Sequence, residues 1–370
     1  MIKQLDLQRQ YQQIKAEILA KFAEIAESQY FILGPEVLKF ESEMAEYIGV
    51  KHAIGCSSGT DALIMALMAL NIQPGDEVIT TPFTFFATAG AISRVGATPV
   101  FVDIEPTFYN IDPAKIEAVI TPKTKAIIPV HLYGQCADWA ALQAIAKKHN
   151  LPLIEDACQA IGAKWQGQQA GTLGDMAAFS FFPSKNLGGF GDAGLITTND
   201  DALAKTLHKI RVHGSEKRYY HDIMGGNFRI DALQAAFLRI KLRYLESWHA
   251  GRNQVADAYT QFFNTHLKDI IKTPAIAPFN TRHVFHQYVM DVPKRDELRQ
   301  YLADQQISSE IYYPVPLHLQ GCYQSLGYKL GDFPVSEAAA ESILALPIFP
   351  ELTETEISTV CQAILEFYRR

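Results

Sequence analysis

Apolar residues in "QQIKAEILAKFAEIAE" recur three and four positions apart, the period of a helix with one buried face. The pattern then shortens. "HAIGCSS" reads as a strand and "TDALIMALMAL" as a buried helix after a Ser/Gly turn. "DEVITT", "TPVFVDI", "KAIIPVHL" and "LPLIEDA" read as further strands. Between them "TFFATAGAISRVG", "AKIEAVI" and "DWAALQAIAKKHN" read as helices, the last with Asp138 as its N-cap. Short Val/Ile-rich runs alternating with helices predict β-α-β units and a mostly parallel sheet. "MAAFSFF" and "AGLITTN" add two strands, and "ALAKTLHKIRVHG" a helix. Past Tyr244 the order changes. Long helices through "IDALQAAFLRIKLRYLESWHAGRNQVADAYTQFF" lead to strand "FHQYVMDV", helix "RDELRQYLADQQ", strand "SSEIYY" and a last helix from Thr353. The chain therefore divides into a large α/β domain over 1–247 and a small α+β domain over 248–370. The N-terminal helix is open to packing on the small one.

Lys and Arg total 33 against 40 Asp and Glu, a net charge of -7, so no bulk basic field invites nucleic acid or an anionic membrane. The five cysteines are odd in number, scattered and without a C-x-x-C, which argues against a disulfide framework and a zinc site. They read as reduced thiols of a cytoplasmic protein with no metal. The N-terminus is polar from the start, and no apolar run reaches the ~18 residues of a membrane span.

"SKNLGGFGDAG" places Gly189, Gly191 and Gly194 at G-x-G-x-x-G spacing. A dinucleotide loop has a strand before the first glycine and a helix opening at the third. Here the strand-like "LITTND" follows the third, and "PSKNL" precedes the first. The match reads as accidental, and the glycines as points of close backbone approach. A NAD-dependent oxidoreductase stays as a distant alternative. Asp156 in "LIEDACQA" belongs at the carboxyl end of a buried parallel strand, where open α/β sheets hold ligands. Its neighbour Glu155 faces the other way. Lys185 follows on a later loop. A strand-end acid and a loop lysine are the pair that a pyridoxal 5'-phosphate (PLP) enzyme uses, the lysine for a Schiff base and the acid for the pyridine nitrogen.

The chain resembles the DegT/DnrJ/EryC1/StrS family of nucleotide-sugar aminotransferases, a branch of the fold-type I PLP enzymes. The motifs that carry the likeness are "YFILGPEV", "SSGTDAL", "GDEVITTPFTFFATA", "VHLYGQ", "IEDACQAIGA", "FSFFPSKNLGGFGDAG", "GGNFRIDALQAA", "YYPVPLHLQ" and "LALPIFPELT". The resemblance implies a seven-stranded, mostly parallel sheet plus a small α+β domain. It implies Lys185 as the catalytic Schiff-base lysine, where some family members carry histidine and act as dehydratases. Asp156 would partner the ring nitrogen, and Gln159 would lie near the ring oxygen. Gly59, Thr60 and Ser180 would hold the phosphate, with Gly59 and Thr60 at a helix start. Phe85 would stack on the ring; Phe83 and Phe86 are nearby, and core packing is the ordinary reading of all three. Asn227 would reach the phosphate of the other subunit in a homodimer with shared active sites. Arg229, Tyr313 and His318 would line the sugar.

Each position also has an ordinary reading. These are a solvated loop lysine for Lys185, N-caps for Asp156 and Thr60, a helix polar contact for Gln159 and a satisfied strand serine for Ser180. Arg229 could pair with Asp231, and a loop histidine is often incidental. The implied reaction moves an amino group from L-glutamate to a nucleotide-linked keto-sugar. The overall look is nearest to enzymes acting at C3 of a UDP-2-acetamido-2-deoxy-3-oxo-hexose or -hexuronate for surface polysaccharide or lipid A. A C4 aminotransferase of a dTDP- or UDP-4-keto-6-deoxy sugar is the alternative, and a non-catalytic PLP-binding regulator a distant one.

Overall fold

The computed structural model describes residues 1–370. Seven strands form its centre: β1 (His52–Cys56), β2 (Glu77–Thr80), β3 (Thr98–Phe101), β4 (Thr124–Ile127), β5 (Ile154–Asp156), β6 (Met176–Ser180) and β7 (Gly194–Thr198). Their spatial order is β3-β2-β4-β5-β6-β7-β1. Continuous ladders join three strands on one side and four on the other. Parallel bridges Ile127–Leu153 and Val130–Asp156 connect β4 to β5 across the middle. Only β7 runs antiparallel to its neighbours. The strands are short and Val/Ile/Ala-rich because both faces are covered, which removes the polar alternation of a one-sided sheet.

Helices α1 (Leu7–Ser28), α2 (Pro35–Ile48), α3 (Gly59–Ala69), α4 (Ala87–Arg94), α5 (Trp139–His149), α6 (Asp201–Ile210) and α7 (Ala232–Leu242) cover the sheet and its flanks. Asp138 caps α5 as its sequence suggests, accepting from Ala141 N–H at 3.3 Å. "AKIEAVI" departs from expectation. It forms two 3₁₀ turns, Pro113–Lys115 and Glu117–Val119, rather than a helix. Ile116 is buried and Val119 and Ile120 pack partly on the core, but the segment is too short for a helix to hold on its own.

Helix α8 (Leu245–His266) carries Leu245 into the sheet's core, and Val255, Tyr259 and Phe263 into a second core. That second core gathers β8 (Tyr288–Asp291), α9 (Arg295–Asp304), β9 (Ile343–Leu346) and α11 (Glu354–Arg369), while α10 (Pro334–Ser342) packs through Ala339 and Ala340 on a smaller cluster with Phe83, Leu132 and Val289. Strands β8 and β9 pair antiparallel. "SSEIYY" is extended but makes only one bridge, Glu310–Ala345, so it is not a full strand. We propose that the two domains divide within α8, at 247/248. The N-terminal segment contacts the second unit through the Ile2–Ile307 bridge and a bidentate Arg9–Glu356 pair, while α1 packs on α7. No helix is long and apolar enough to cross a membrane.

Candidate active site

The carboxyl ends of the parallel strands, and the start of antiparallel β7, meet along one edge of the sheet. Strand β5 ends there with two buried carboxylates on opposite faces. Glu155 accepts from His131 Nε2–H (2.9 Å) and from the backbone N–H of Gly171, Leu173 and Gly174 (2.7–2.8 Å). His131 Nδ1 accepts from Ala137 N–H at 3.1 Å, which leaves the ring proton on Nε2. Glu155 thus ties down the loop before β6. Asp156 turns to the other side, where Thr88 Oγ1–H (2.7 Å) and Cys158 N–H (3.2 Å) donate to it. These donors fix its direction.

Lys185 sits in the loop after β6. That loop is closed by Lys185 N–H to Phe182 O (2.8 Å) and Gly189 N–H to Phe181 O (2.7 Å). The side chain is half-buried and has no hydrogen-bond partner within the chain. The protein packed around its amine lowers its pKa from the ordinary lysine value, while Cys158 and Asp156 pull the other way. A freely solvated lysine would show no such shift.

Ser58 caps α3, accepting from Asp61 N–H at 3.0 Å, and Gly59 and Thr60 open the helix. Their N–H groups belong to the first turn, which has no intrahelical acceptors. A Cβ on Gly59 would lie 2.6 Å from Ser180 Cβ and 2.9 Å from Cys158 Sγ, so glycine brings the helix start against β6. A Cβ on Gly194 would meet the Ser58 carbonyl at 2.4 Å. The third glycine of the run therefore packs on this helix start and opens β7, with no helix after it to receive a dinucleotide.

Above this cradle Phe85 is 56% exposed, whereas Phe83 is fully buried and Phe86 leans on Tyr323 (ring centroids 5.9 Å apart). Phe85 faces the Tyr313 ring at 6.2 Å. Gln159 bridges the two units, accepting from Tyr133 N–H (2.8 Å) and donating to Tyr313 Oη (3.0 Å). Asn227 is exposed and makes no side-chain hydrogen bond. Arg229 has no carboxylate partner, so the Asp231 pair is not formed, and its buried Nε is unpaired. His318 lies differently. Its side chain has no exposure, Nε2–H donates to Glu337 (3.0 Å), and its ring packs on Phe333. Sequence reading missed Thr88, whose only signal is a lone threonine one turn past Phe85 in an apolar segment.

These groups suit PLP. The phosphate needs free N–H donors, the ring an exposed aromatic face and a fixed carboxylate, and the aldehyde an unpaired amine of lowered basicity. Each stands at this edge. Fold and site together define a PLP-dependent aminotransferase. The chain belongs to the DegT/DnrJ/EryC1/StrS aminotransferase family, whose sequence profile matches residues 12–365. A "pleiotropic regulatory protein" of Geobacillus stearothermophilus is 53% identical over 100% of this chain and 99% of its own. A "UDP-N-acetyl-3-dehydro-alpha-D-glucosamine 3-aminotransferase" of Acidithiobacillus ferrooxidans is 46% identical over 98% and 97%. Transaminases named for dTDP-3-amino sugars are 41–43% identical. The crystal structure of DesV from S. venezuelae superposes with TM-score 0.96 at 41% identity, covering 100% of this chain and 99% of its own. NtdA of Bacillus subtilis, with pyridoxamine phosphate bound, superposes with TM-score 0.90 at 34% identity over 96% of this chain and 82% of its own. The cofactor of this enzyme is PLP, and the oxidoreductase alternative falls away.

Proposed function

We propose that this enzyme moves an amino group from L-glutamate to C3 of a UDP-2-acetamido-2-deoxy-3-oxo sugar, for surface polysaccharide or lipid A synthesis. It would act as a cytoplasmic homodimer. The observation that carries amino transfer is Lys185, unpaired and of lowered basicity, beside the fixed carboxylate of Asp156. The choice of C3 and UDP draws on the 46%-identical relative named for that reaction. When bound, PLP supplies a carbonyl that accepts an amino group and a ring that withdraws electrons. Lys185 Nζ would hold that carbonyl and would move a proton at the substrate carbon. Asp156 holds charge at the ring nitrogen. Gly59, Thr60 and Ser180 bind the phosphate, Phe85 covers the ring and Gln159 orients Tyr313 toward it. Arg229 and Tyr313 face the sugar. His318 supports the wall behind them, since nothing of it is exposed.

A glutamate-dependent assay against UDP- and dTDP-linked 3-keto and 4-keto sugars, with products read by NMR, tests the reading. A 3-amino UDP-sugar is the expected product. The dTDP-named relatives favour one second reading, a dTDP-3-keto sugar, and the same panel separates it. Amination at C4 would overturn the position. A cofactor band that glutamate leaves unchanged would instead fit the regulatory reading.

The shared site rests on Asn227, whose free amide projects outward, and on exposed apolar side chains such as Tyr30, Ile32, Phe182, Phe190 and Met224 that suit a partner. Lys185→Ala and Asn227→Ala homodimers are each expected to be inactive. Mixed under conditions of subunit exchange, they form hybrids with one intact site and one doubly defective site. Recovered activity supports sharing. Demonstrated exchange without recovery, or an active monomer in sedimentation, overturns it.

A further inference from the structure

Asn186, the residue after Lys185, is 4% exposed and carries a side-chain amide with both ends engaged. Its Nδ2–H donates to Val284 O at 2.9 Å, and its Oδ1 lies 3.1 Å from His286 Nδ1. Because the amide nitrogen is committed to a carbonyl, the amide oxygen must accept, so the His286 proton resides on Nδ1. The segment 284–286 is itself anchored. Val284 N–H and His286 N–H donate to Gly134 O and Tyr133 O, both at 2.9 Å. The buried Arg252 donates to the carbonyls of Phe285 (3.2 Å), His286 (3.3 Å) and Ile348 (3.0 Å), with no carboxylate in salt-bridge contact. Arg252 thus acts as a rivet between the segment entering β8 and the one leaving β9.

We propose that His286 is a positioning residue for the reactive lysine: its Nδ1–H, donated to Asn186, pins the Lys185 loop to the frame of the second unit. The inference rests on the reading of Lys185 given above. A lysine side chain is long and flexible, so its reach is set largely by where the loop holds its backbone. A displacement of about 1 Å at a reacting group costs on the order of 10²-fold in rate. The ring also has to stay neutral, since an imidazolium would add a third positive charge beside Lys185 and Arg252. Burial, Lys185 and Arg252 all press its pKa well below the ordinary histidine value. The other groups in the neighbourhood are Asp156 and Cys158, which act on Lys185, and Glu351, which acts on Arg252. None of these three is among the groups that shift His286.

Three variants test the link. His286→Phe keeps a flat ring and loses the donor. His286→Asn places an amide N–H where Nδ1 was. Asn186→Ala removes the acceptor and leaves His286 in place. The first readout is the pH dependence of Lys185 acylation by an amine-directed reagent in cofactor-free protein, followed by peptide mass spectrometry. His286→Phe is expected to loosen the loop, hydrate the amine and raise the midpoint by about one pH unit. The second readout is the glutamate half-reaction of the holoenzyme. There the maximal rate should fall about 10- to 100-fold with the glutamate constant nearly unchanged. His286→Asn should restore both readouts to near the wild-type values. Asn186→Ala should behave as His286→Phe does, and it decides the question if His286→Phe fails to fold. A wild-type labelling midpoint in whichever of these two variants folds would overturn the proposal. So would His286→Asn failing as badly as His286→Phe. An active Lys185→Ala enzyme would remove the lysine's assigned role, while the labelling profile would still report on the His286–Asn186 link.

Discussion

Lys185→Ala is expected to lose turnover by at least about 10³-fold, because the side chain proposed to hold the carbonyl and ferry the proton is gone. The purified variant should also fail to show the yellow absorbance that shifts on adding glutamate, even where it retains PLP noncovalently. Circular dichroism should be unchanged, since the amine has no hydrogen-bond partner within the chain to lose. The wild-type lysine carries its own signature. Its pKa is lowered, so the free amine gains population as pH rises through a range below that of a surface lysine. In cofactor-free protein, acylation at Lys185 should therefore set in at lower pH than in an unstructured peptide carrying a solvated lysine. Lys185→Ala with near-normal activity would refute the assignment.

Asp156→Ala should cut turnover about 10²- to 10³-fold, the scale found when one fixed electrostatic contact to a reacting group is removed. Two effects are separable. The first is the lost charge at the ring nitrogen. The second is local, because Cys158 N–H loses its acceptor and Thr88 falls back on Thr84 Oγ1 (3.1 Å) and Phe85 O (3.3 Å). Leaving a buried donor unpaired costs about 1–3 kcal/mol, visible as a fall in thermal midpoint. Asp156→Asn keeps acceptor capacity for Thr88 and removes the charge. It should recover most of the stability and little of the rate. If Asn restores turnover, the charge is not what matters and the acid role lies elsewhere.

The large sheet was readable because buried parallel strands announce themselves as short apolar runs between helical periods. The candidate site was legible for the same reason, since the proposed residues sit at or just past the ends of those runs. Asp156 closes "LIED", Ser180 closes "MAAFS" and Gly59 follows "HAIGCSS". What failed to show is instructive. Strand β9 follows the alanine-rich α10 without a turn signal, and its partner β8 lies some fifty residues earlier in sequence, so only tertiary pairing defines it. "AKIEAVI" has a helical period and packs Ile116, Val119 and Ile120 on the core, but it is too short to hold a regular helix. His318 carries a motif signal, yet the fold seals it behind Phe333. The Asn186–His286 contact joins residues 100 apart, and neither residue type is unusual enough to point to the other.

Strand β5 holds one more consequence. Its two terminal residues are both acidic, and they face opposite sides of the sheet into different sets of donors. Glu155 has four donors waiting for a longer side chain, and Asp156 has two waiting for a shorter one. A slip of one position would exchange the faces, presenting Glu155 to Thr88 and leaving the apolar Ile154 to face His131 and the Gly171–Gly174 loop. The four donors around Glu155 would then lose their acceptor, and a longer acid would stand in the place of Asp156. The paired acids thus act as a key cut on both edges: only one registration of the central strand seats both.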